Sequence, residues 1–326
     1  MDIFPWHWEA WQGVGAARQK GRLPHALLLH APEGWGGEAF ARNLAQSLLC
    51  ASPSENGTAC GGCKACTLWQ AGTHPDFALA VPEAEGKQIR VEAVRELVAW
   101  TANKSHAHRG KIAIIEPAEA MTTGAANSLL KTLEEPPPEQ WFLLLSRQPN
   151  GLPITIRSRC QNLTLRQPGH PAIKPWVAAR LAPGQDADKA LALAGGAPLL
   201  AVADDQRARQ KLEVLKELVG LSAGRLDPLE IATRWKAAGP TAVLGWLMEF
   251  LVATVQSALT QAIPQGLEGL AEPLRSLAAQ VDLARLLAAH DLCHYHYAMA
   301  HTQAKLRDQE LMEEICLFCS ERAVAR

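Results

Sequence analysis

Two kinds of apolar pattern alternate along the first half of the chain, and only one of them continues into the second. Short continuous apolar runs stand at residues 26–30, 77–81, 111–116 and 141–146, each the length of a strand. Apolar positions at helical spacing lie between them. Residues 40–49, Phe-Ala-Arg-Asn-Leu-Ala-Gln-Ser-Leu-Leu, carry such a face soon after the first run. This alternation, up to about residue 162, predicts an α/β domain with a mostly parallel sheet. From about Pro168 onward no convincing strand remains. Helix-length runs rich in Ala, Leu and Glu take over, broken at Ala182-Pro183-Gly184, Gly195-Gly196-Ala197-Pro198, Asp227-Pro228, Gly239-Pro240, Pro264-Gln265-Gly266 and Glu272-Pro273. The pattern predicts an α/β domain at 1–164, a small helical piece at 165–205 and a larger helical bundle at 206–326.

Composition excludes several function classes. The 326 residues suffice for two or three domains, and 48% hydrophobic with 20% charged residues is a globular composition without extended disorder. A formal net charge of -1 argues against a protein that grips DNA unaided, so any nucleic-acid contact is local or shared with partners. The opening Met-Asp-Ile-Phe-Pro-Trp-His-Trp does not read as a secretory signal. Nor does the most apolar late stretch, 244–255, read as a membrane span, being short and containing Glu249. A cytoplasmic address without membrane association is expected, and there eight cysteines are better read as metal ligands or buried thiols than as disulfides.

Candidate chemistry sharpens the picture. Ala-Pro-Glu-Gly-Trp-Gly-Gly-Glu, residues 31–38, occupies the place of a phosphate-binding loop between strand and helix. Gly34 and Gly36 are in place, but Gly37 fills the lysine slot and Glu38 the slot of the magnesium-binding hydroxyl. Cys50, Cys60, Cys63 and Cys66 have the spacing of a closed four-thiolate zinc site, with a set of spare or redox-active thiols as the alternative. Cys293, His294, His296, Cys316 and Cys319 lie in helical patterns and are read as core packing. The run 111–115 ends in Glu116-Pro117, where nucleotide hydrolases place Asp-Glu, so the second slot lacks its carboxylate. Residues 127–138 form an amphipathic helix stopped by prolines. In Ser158-Arg159-Cys160 the arginine, on a turn at the domain rim, either reaches a neighbour's γ-phosphate or pairs with a surface carboxylate.

Taken together, the loop, the cysteine cluster after its helix, Gly72-Thr73-His74-Pro75-Asp76, the Leu-Leu-Lys-Thr-Leu-Glu-Glu-Pro-Pro helix and Ser-Arg-Cys resemble, in that order, the AAA+ clamp-loader proteins of bacterial DNA polymerase III. The likeness in motifs covers the first half; the second supports it by helical character and length. The resemblance implies an AAA+ domain with a P-loop-like parallel sheet and an inserted four-cysteine zinc module at about 50–66, then a helical lid and an all-α collar. It implies structural zinc and, with the degenerate loop Gly34, Gly36, Gly37 and Glu38, no ATP bound by this chain. The lid's sensor arginine is expected near 195–198, where Pro198 stands. Arg159, within Ser158-Arg159-Cys160, would be a finger acting in trans on a neighbour's ATP. The implied partners are the loader's gamma/tau and delta subunits in a hetero-pentamer, and through them the sliding clamp and primer-template DNA. No ATPase activity is then expected of the chain alone, although it belongs to a nucleotidyltransferase complex. Two rivals are an active AAA+ ATPase with an atypical P-loop and a free-standing zinc-dependent nucleic-acid module.

Overall fold

Five parallel strands form the sheet of the first half, in the spatial order β2-β3-β4-β1-β5. They are β1 Ala26–His30, β2 Phe77–Ala80, β3 Lys111–Ile115, β4 Gln140–Ser146 and β5 Gln161–Thr164. The four apolar runs are the first four strands, with ends displaced by no more than one residue. The apolar pattern does not predict β5. Its Gln-Asn-Leu-Thr is exposed at three of four positions and pairs only with β1, from Leu27↔Gln161 to His30↔Thr164, as suits a polar edge strand.

The computed structural model describes residues 3–84, 87–107, 109–203, 205–264, 267–300 and 308–320, which group into two units, Met1–Ala172 and Ile173–Arg326. In the first unit β1 to β4 are mostly apolar because both sheet faces are covered. Successive side chains point to opposite faces. Leu28, Ala113, Ile115, Phe142 and Leu144 meet Val94 and Leu97 of helix Val91–Thr101 and Ala125, Leu129 and Leu133 of helix Thr123–Glu134. Leu27, Leu29, Ile112, Ile114, Leu143 and Leu145 pack the other way, with Trp11 and Val14 of helix Trp8–Gln19 and Phe40, Leu44 and Leu48 of helix Gly37–Leu49. Each such Leu or Phe contributes on the order of 1.5–3 kcal/mol by burial. Helix Thr123–Glu134 starts where Thr122 Oγ1 accepts the amide of Ala125 at 3.2 Å. It ends at Glu134 because Glu135, held in front of Pro136, leaves the helical region at φ -125°, ψ 70°.

The second unit is helical among its described residues. Three short helices, Ile173–Ala178, Ala187–Leu193 and Pro198–Ala203, precede Asp205–Ser222, Pro228–Ala238, Pro240–Thr260, Ala271–Gln280, Leu283–Ala300 and Asp308–Ser320. Pro228 and Pro240 each open a helix, where a missing N–H costs nothing. Glu272-Pro273, expected as a break, lies instead in the first turn of Ala271–Gln280 for the same reason. The break at 264–266 falls partly outside the described residues. Helix Pro240–Thr260 is longer than the apolar stretch suggested, and by length and composition alone it could cross a membrane. Its packing is that of a core helix: Val243, Leu244, Leu247, Phe250 and Leu251 are buried in the bundle. Glu249 Oε1 and Oε2 accept from Lys211 Nζ at 2.9 and 2.8 Å.

Candidate functional site

The glycine cradle is built, and there is no room for a side chain beside its last glycine. β1 runs into the loop 31–36, where Gly34 at φ 78° and Gly36 at φ 80° adopt the left-handed conformation that other residues resist. Helix Gly37–Leu49 begins there. A Cβ on Gly37 would lie 2.3 Å from Ala31 Cβ and 2.8 Å from Leu145 Cδ1, so the lysine slot has no room for a side chain. In the hydroxyl slot, Glu38 Oε1 accepts from Arg42 Nε at 2.8 Å, and its carboxylate sits at the positive end of the helix dipole, where a phosphate would otherwise be favoured. Trp6 Nε1 donates to the carbonyl of Trp35 at 3.2 Å, and both indoles are buried. Phe4 stacks on Trp6 at 4.9 Å, and His7 meets Phe40 edge-on at 5.5 Å. Burial lowers the pKa of His7 to about 4, against hydrogen bonding with the Leu165 and Trp35 backbone, so the ring is neutral at pH 7. At the end of β3, burial and then the charge of Glu38 raise the pKa of Glu116, opposed by Arg42 and Arg147.

Helix Gly37–Leu49 ends at a different kind of site. Cys50 follows it directly, and the sulfurs of Cys50, Cys60, Cys63 and Cys66 all lie within 4.8 Å of one another, a set able to hold a metal ion. Cys50 Sγ stands 3.9 Å from Cys63 Sγ and 3.7 Å from Cys66 Sγ, and accepts the amide of Cys60 at 3.3 Å. Burial acts to raise the Cys63 thiol, but the amides of Ala51 and Cys66 and the neighbouring thiols outweigh it and bring it down to about 6. Burial pushes Cys66 up to about 12. Arginines fasten the knuckle to the domain. Arg18 Nη1 donates to the carbonyl of Ser47 at 3.1 Å, while Arg109 Nη1 and Nη2 donate to the carbonyls of Cys50 and Ala51, each at 2.9 Å. Trp11 Nε1 reaches the carbonyl of Asn56 at 2.8 Å.

The Ser-Arg-Cys turn joins β4 to β5 after the short helix Ile154–Arg157. Arg159 Nη1 donates to the carbonyl of Thr155 at 2.9 Å and to Ser158 Oγ at 3.4 Å, and Nη2 forms an ion pair with Glu134 Oε1 at 2.5 Å. The arginine side chain is 34% exposed. Ser158 Oγ also donates to the carbonyl of Thr155 at 3.3 Å. Cys160 is buried, which raises its thiol to about 12 and leaves it a packing group. This geometry is that of the second sequence reading, an arginine paired with a carboxylate.

Asp76 has a role that the sequence motif did not disclose. Its buried carboxylate takes the amides of His106 at 2.8 Å and Ala107 at 2.9 Å and the hydroxyl of Ser105 at 3.0 Å, tying down the approach to β3. Burial works to raise its pKa, and these bonds overcome it, holding the carboxyl below its usual value. In the second unit Cys293 and Cys316 lie in the core, where burial raises their thiols, and His296 Nε2 faces Glu314 Oε2 at 3.0 Å. Among the described residues only the first-half cysteines converge as a metal-binding group. Pro198 is buried at the start of helix Pro198–Ala203, just after Gly195 and Gly196 at φ 61° and 79°.

Similarity to known proteins extends over most of the chain. A family described as "DNA polymerase III, delta subunit" matches residues 6–169. DNA polymerase III subunit delta′ of Pseudomonas aeruginosa is 36% identical over 89% of this chain and 89% of its own length. The protein of the same name from Yersinia pestis is 32% identical over 97% of this chain and 95% of its own. Among solved structures, a DNA polymerase III gamma subunit-related protein of Thermotoga maritima aligns with 95% of this chain and 99% of its own, at 16% identity and a TM-score of 0.43. With matched residues running from the aromatic cluster through the glycine cradle, the cysteine knuckle and the Ser-Arg-Cys turn, the chain belongs to the DNA polymerase III subunit delta′ family.

Proposed function

We propose that this chain is the catalytically silent AAA+ subunit of a bacterial clamp loader, and that it supplies Arg159 in trans to a neighbouring ATPase subunit. The observation that carries this reading is the contrast at Gly37 and Arg159: no space for a phosphate-binding lysine, yet an arginine kept at the rim on a braced turn. The rival reading as an active ATPase requires a cation and a hydroxyl at 37 and 38, where there is no room for the first and a carboxylate in place of the second. In the proposed cycle, residues 165–205 serve as a lid and 206–326 as the collar that assembles the chain, in the cytoplasm, with gamma/tau and delta subunits. The pentamer then opens the sliding clamp and closes it on primer-template DNA. Hydrolysis at the neighbour's site draws on Arg159, whose permanent positive charge suits the oxygens of a γ-phosphoryl group in transfer.

The cysteine knuckle supports zinc as a structural cofactor. Four thiolates around zinc at about 2.3 Å stand about 3.8 Å apart, and the 3.7 and 3.9 Å sulfur separations at Cys50 fit that edge. Cys50, Cys60, Cys63 and Cys66 would all be ligands, leaving no open position for catalysis.

The decisive experiment is DNA- and clamp-stimulated ATP hydrolysis by the reconstituted loader with this chain intact or as Arg159→Ala, once equal assembly is confirmed. A finger in trans is worth about 10³–10⁵ in rate in other phosphoryl-transfer systems, so a large loss is expected at the one site it serves. An unchanged rate would leave an architectural subunit.

A further inference from the structure

We infer that Glu134 is a positioning residue for Arg159: it fixes the guanidinium before the neighbour's phosphate arrives. The inference rests on the finger reading above and adds a residue to it. Glu134 is the last residue of helix Thr123–Glu134, and its carboxylate meets Arg159 Nη2 at 2.5 Å from 25 positions earlier in the chain. An acid at a helix C-terminus stands against the negative end of the dipole, so helix physics alone disfavours it there. The arginine's charge compensates both the carboxylate and the helix end.

What remains free is as informative as what is held. Nη1 is committed to the Thr155 carbonyl and Ser158 Oγ, and Nη2 is held in an ion pair with Glu134. Among the described residues, Nε and Nη2 donate no hydrogen bond, and the side chain is a third exposed. A guanidinium has five donors in a rigid plane. Two hydrogen bonds and one ion pair therefore set the plane and leave Nε and Nη2 to donate to a phosphate.

The backbone that carries the arginine is braced as well. Glu119 Oε1 accepts the amides of Arg147 at 2.9 Å and Gln148 at 3.2 Å, and Arg157 Nη1 donates to Asn150 Oδ1 at 3.1 Å. Ile156 and Cys160 anchor the turn in the core. With the backbone held, the remaining freedom is in the torsions of Arg159, and these are what Glu134 removes. Ordering a long side chain in advance lowers the entropic cost of using it in the transition state.

The test uses the reconstituted loader with the full-length chain as Glu134→Ala, Glu134→Gln, Arg159→Ala and Glu134→Ala/Arg159→Ala, measuring kcat and KM for ATP under DNA and clamp stimulation. Glu134→Ala should lower kcat roughly tenfold at unchanged KM, because ATP itself is bound by the neighbour. Glu134→Gln, which keeps an acceptor without the charge, should recover part of the loss. The double variant should be no slower than Arg159→Ala, since Glu134 acts only through the arginine. Melting and co-elution of the complex check folding and assembly, and Glu134→Gln serves if the alanine variant fails to assemble. A normal or raised kcat in Glu134→Ala, beside a slow Arg159→Ala, overturns the positioning role while the finger stands. The positioning role falls in the same way if Glu134→Ala costs as much in the Arg159→Ala background. An unaffected Arg159→Ala overturns the finger, and the positioning role with it.

Discussion

One helix, Gly37–Leu49, has a glycine cradle without a lysine at its first residue and four cysteines able to hold a metal ion just past its last. The N-terminal end keeps the backbone of a phosphate site, with Gly34 and Gly36 in left-handed conformations, but Ala31 and Leu145 fill the space beside Gly37. There Glu38 supplies internally the negative charge that a phosphate would bring. The C-terminal end shows the opposite arrangement. Its carbonyls are answered by Arg18 and Arg109, cations that also suit the negative end of a helix dipole, and four sulfurs converge beside them. Backbone shape and side-chain chemistry are thus separable. The loop keeps the backbone of a phosphate site without its cation, while the knuckle brings together four donors able to hold a metal ion.

That contrast breaks most readily at the knuckle. Cys63→Ser should cost the chain its metal and destabilise the first unit by more than about 4 kcal/mol, because the binding energy of a structural metal is folding energy. Metal content by atomic absorption and denaturant melts of the same samples measure the two effects together. A melt unchanged after full metal loss would show that the sulfurs do not brace the fold, and the knuckle would then be no more structural than the cradle is catalytic.

The next largest effect lies at the cradle. Gly37→Lys with Glu38→Thr restores the sequence of a working phosphate loop, yet should restore no binding of Mg-ATP. The new Cβ would press on Ala31 and Leu145, so the variant should lose about 3 kcal/mol, typical of overpacking. Titration calorimetry and a melt on the full chain decide it. Tight Mg-ATP binding by a stable variant would mean that only two residues separate this chain from an ATPase, and that the cradle is vacant rather than filled.

Much of the fold could be read from the sequence because its signals are local. Leu-Leu-Leu in β1 and Ile-Ala-Ile-Ile in β3 are apolar on both faces, which only a strand covered from both sides requires. The cysteine spacing likewise packs three ligands into seven residues. What escaped is non-local or a matter of space. β5 is polar because it lies at the sheet edge, and its pairing is set by β1, more than a hundred residues earlier. Glu134 and Arg159 sit in two separate motifs, and nothing in either indicates that they touch. Asp76 looks like one more loop acid until the amides of His106 and Ala107 arrive around it. At Gly37 the sequence shows a missing lysine, whereas the Ala31 and Leu145 contacts show why a replacement would not fit.

The smallest effect comes from the aromatic cluster beneath the cradle, where His7 packs on Phe40 and beside Phe4 and Trp6. Burial lowers its pKa from 6.5 to about 4. The unfolded chain thus takes up a proton on this ring at a higher pH than the folded one. Between those two values the unfolded state binds more protons, so stability must rise with pH. The contribution is fully present above pH 6.5 and is lost as pH falls towards 4, amounting to about 2 kcal/mol between pH 7 and pH 5. Denaturant midpoints of the full chain across that range should show the slope, and His7→Gln should flatten it. If the slope is absent in the parent chain, water or a charge reaches the ring, and the cradle is open from below. If it is present, the ring stays dry in the folded chain, as its packing on Phe40 and Trp6 requires.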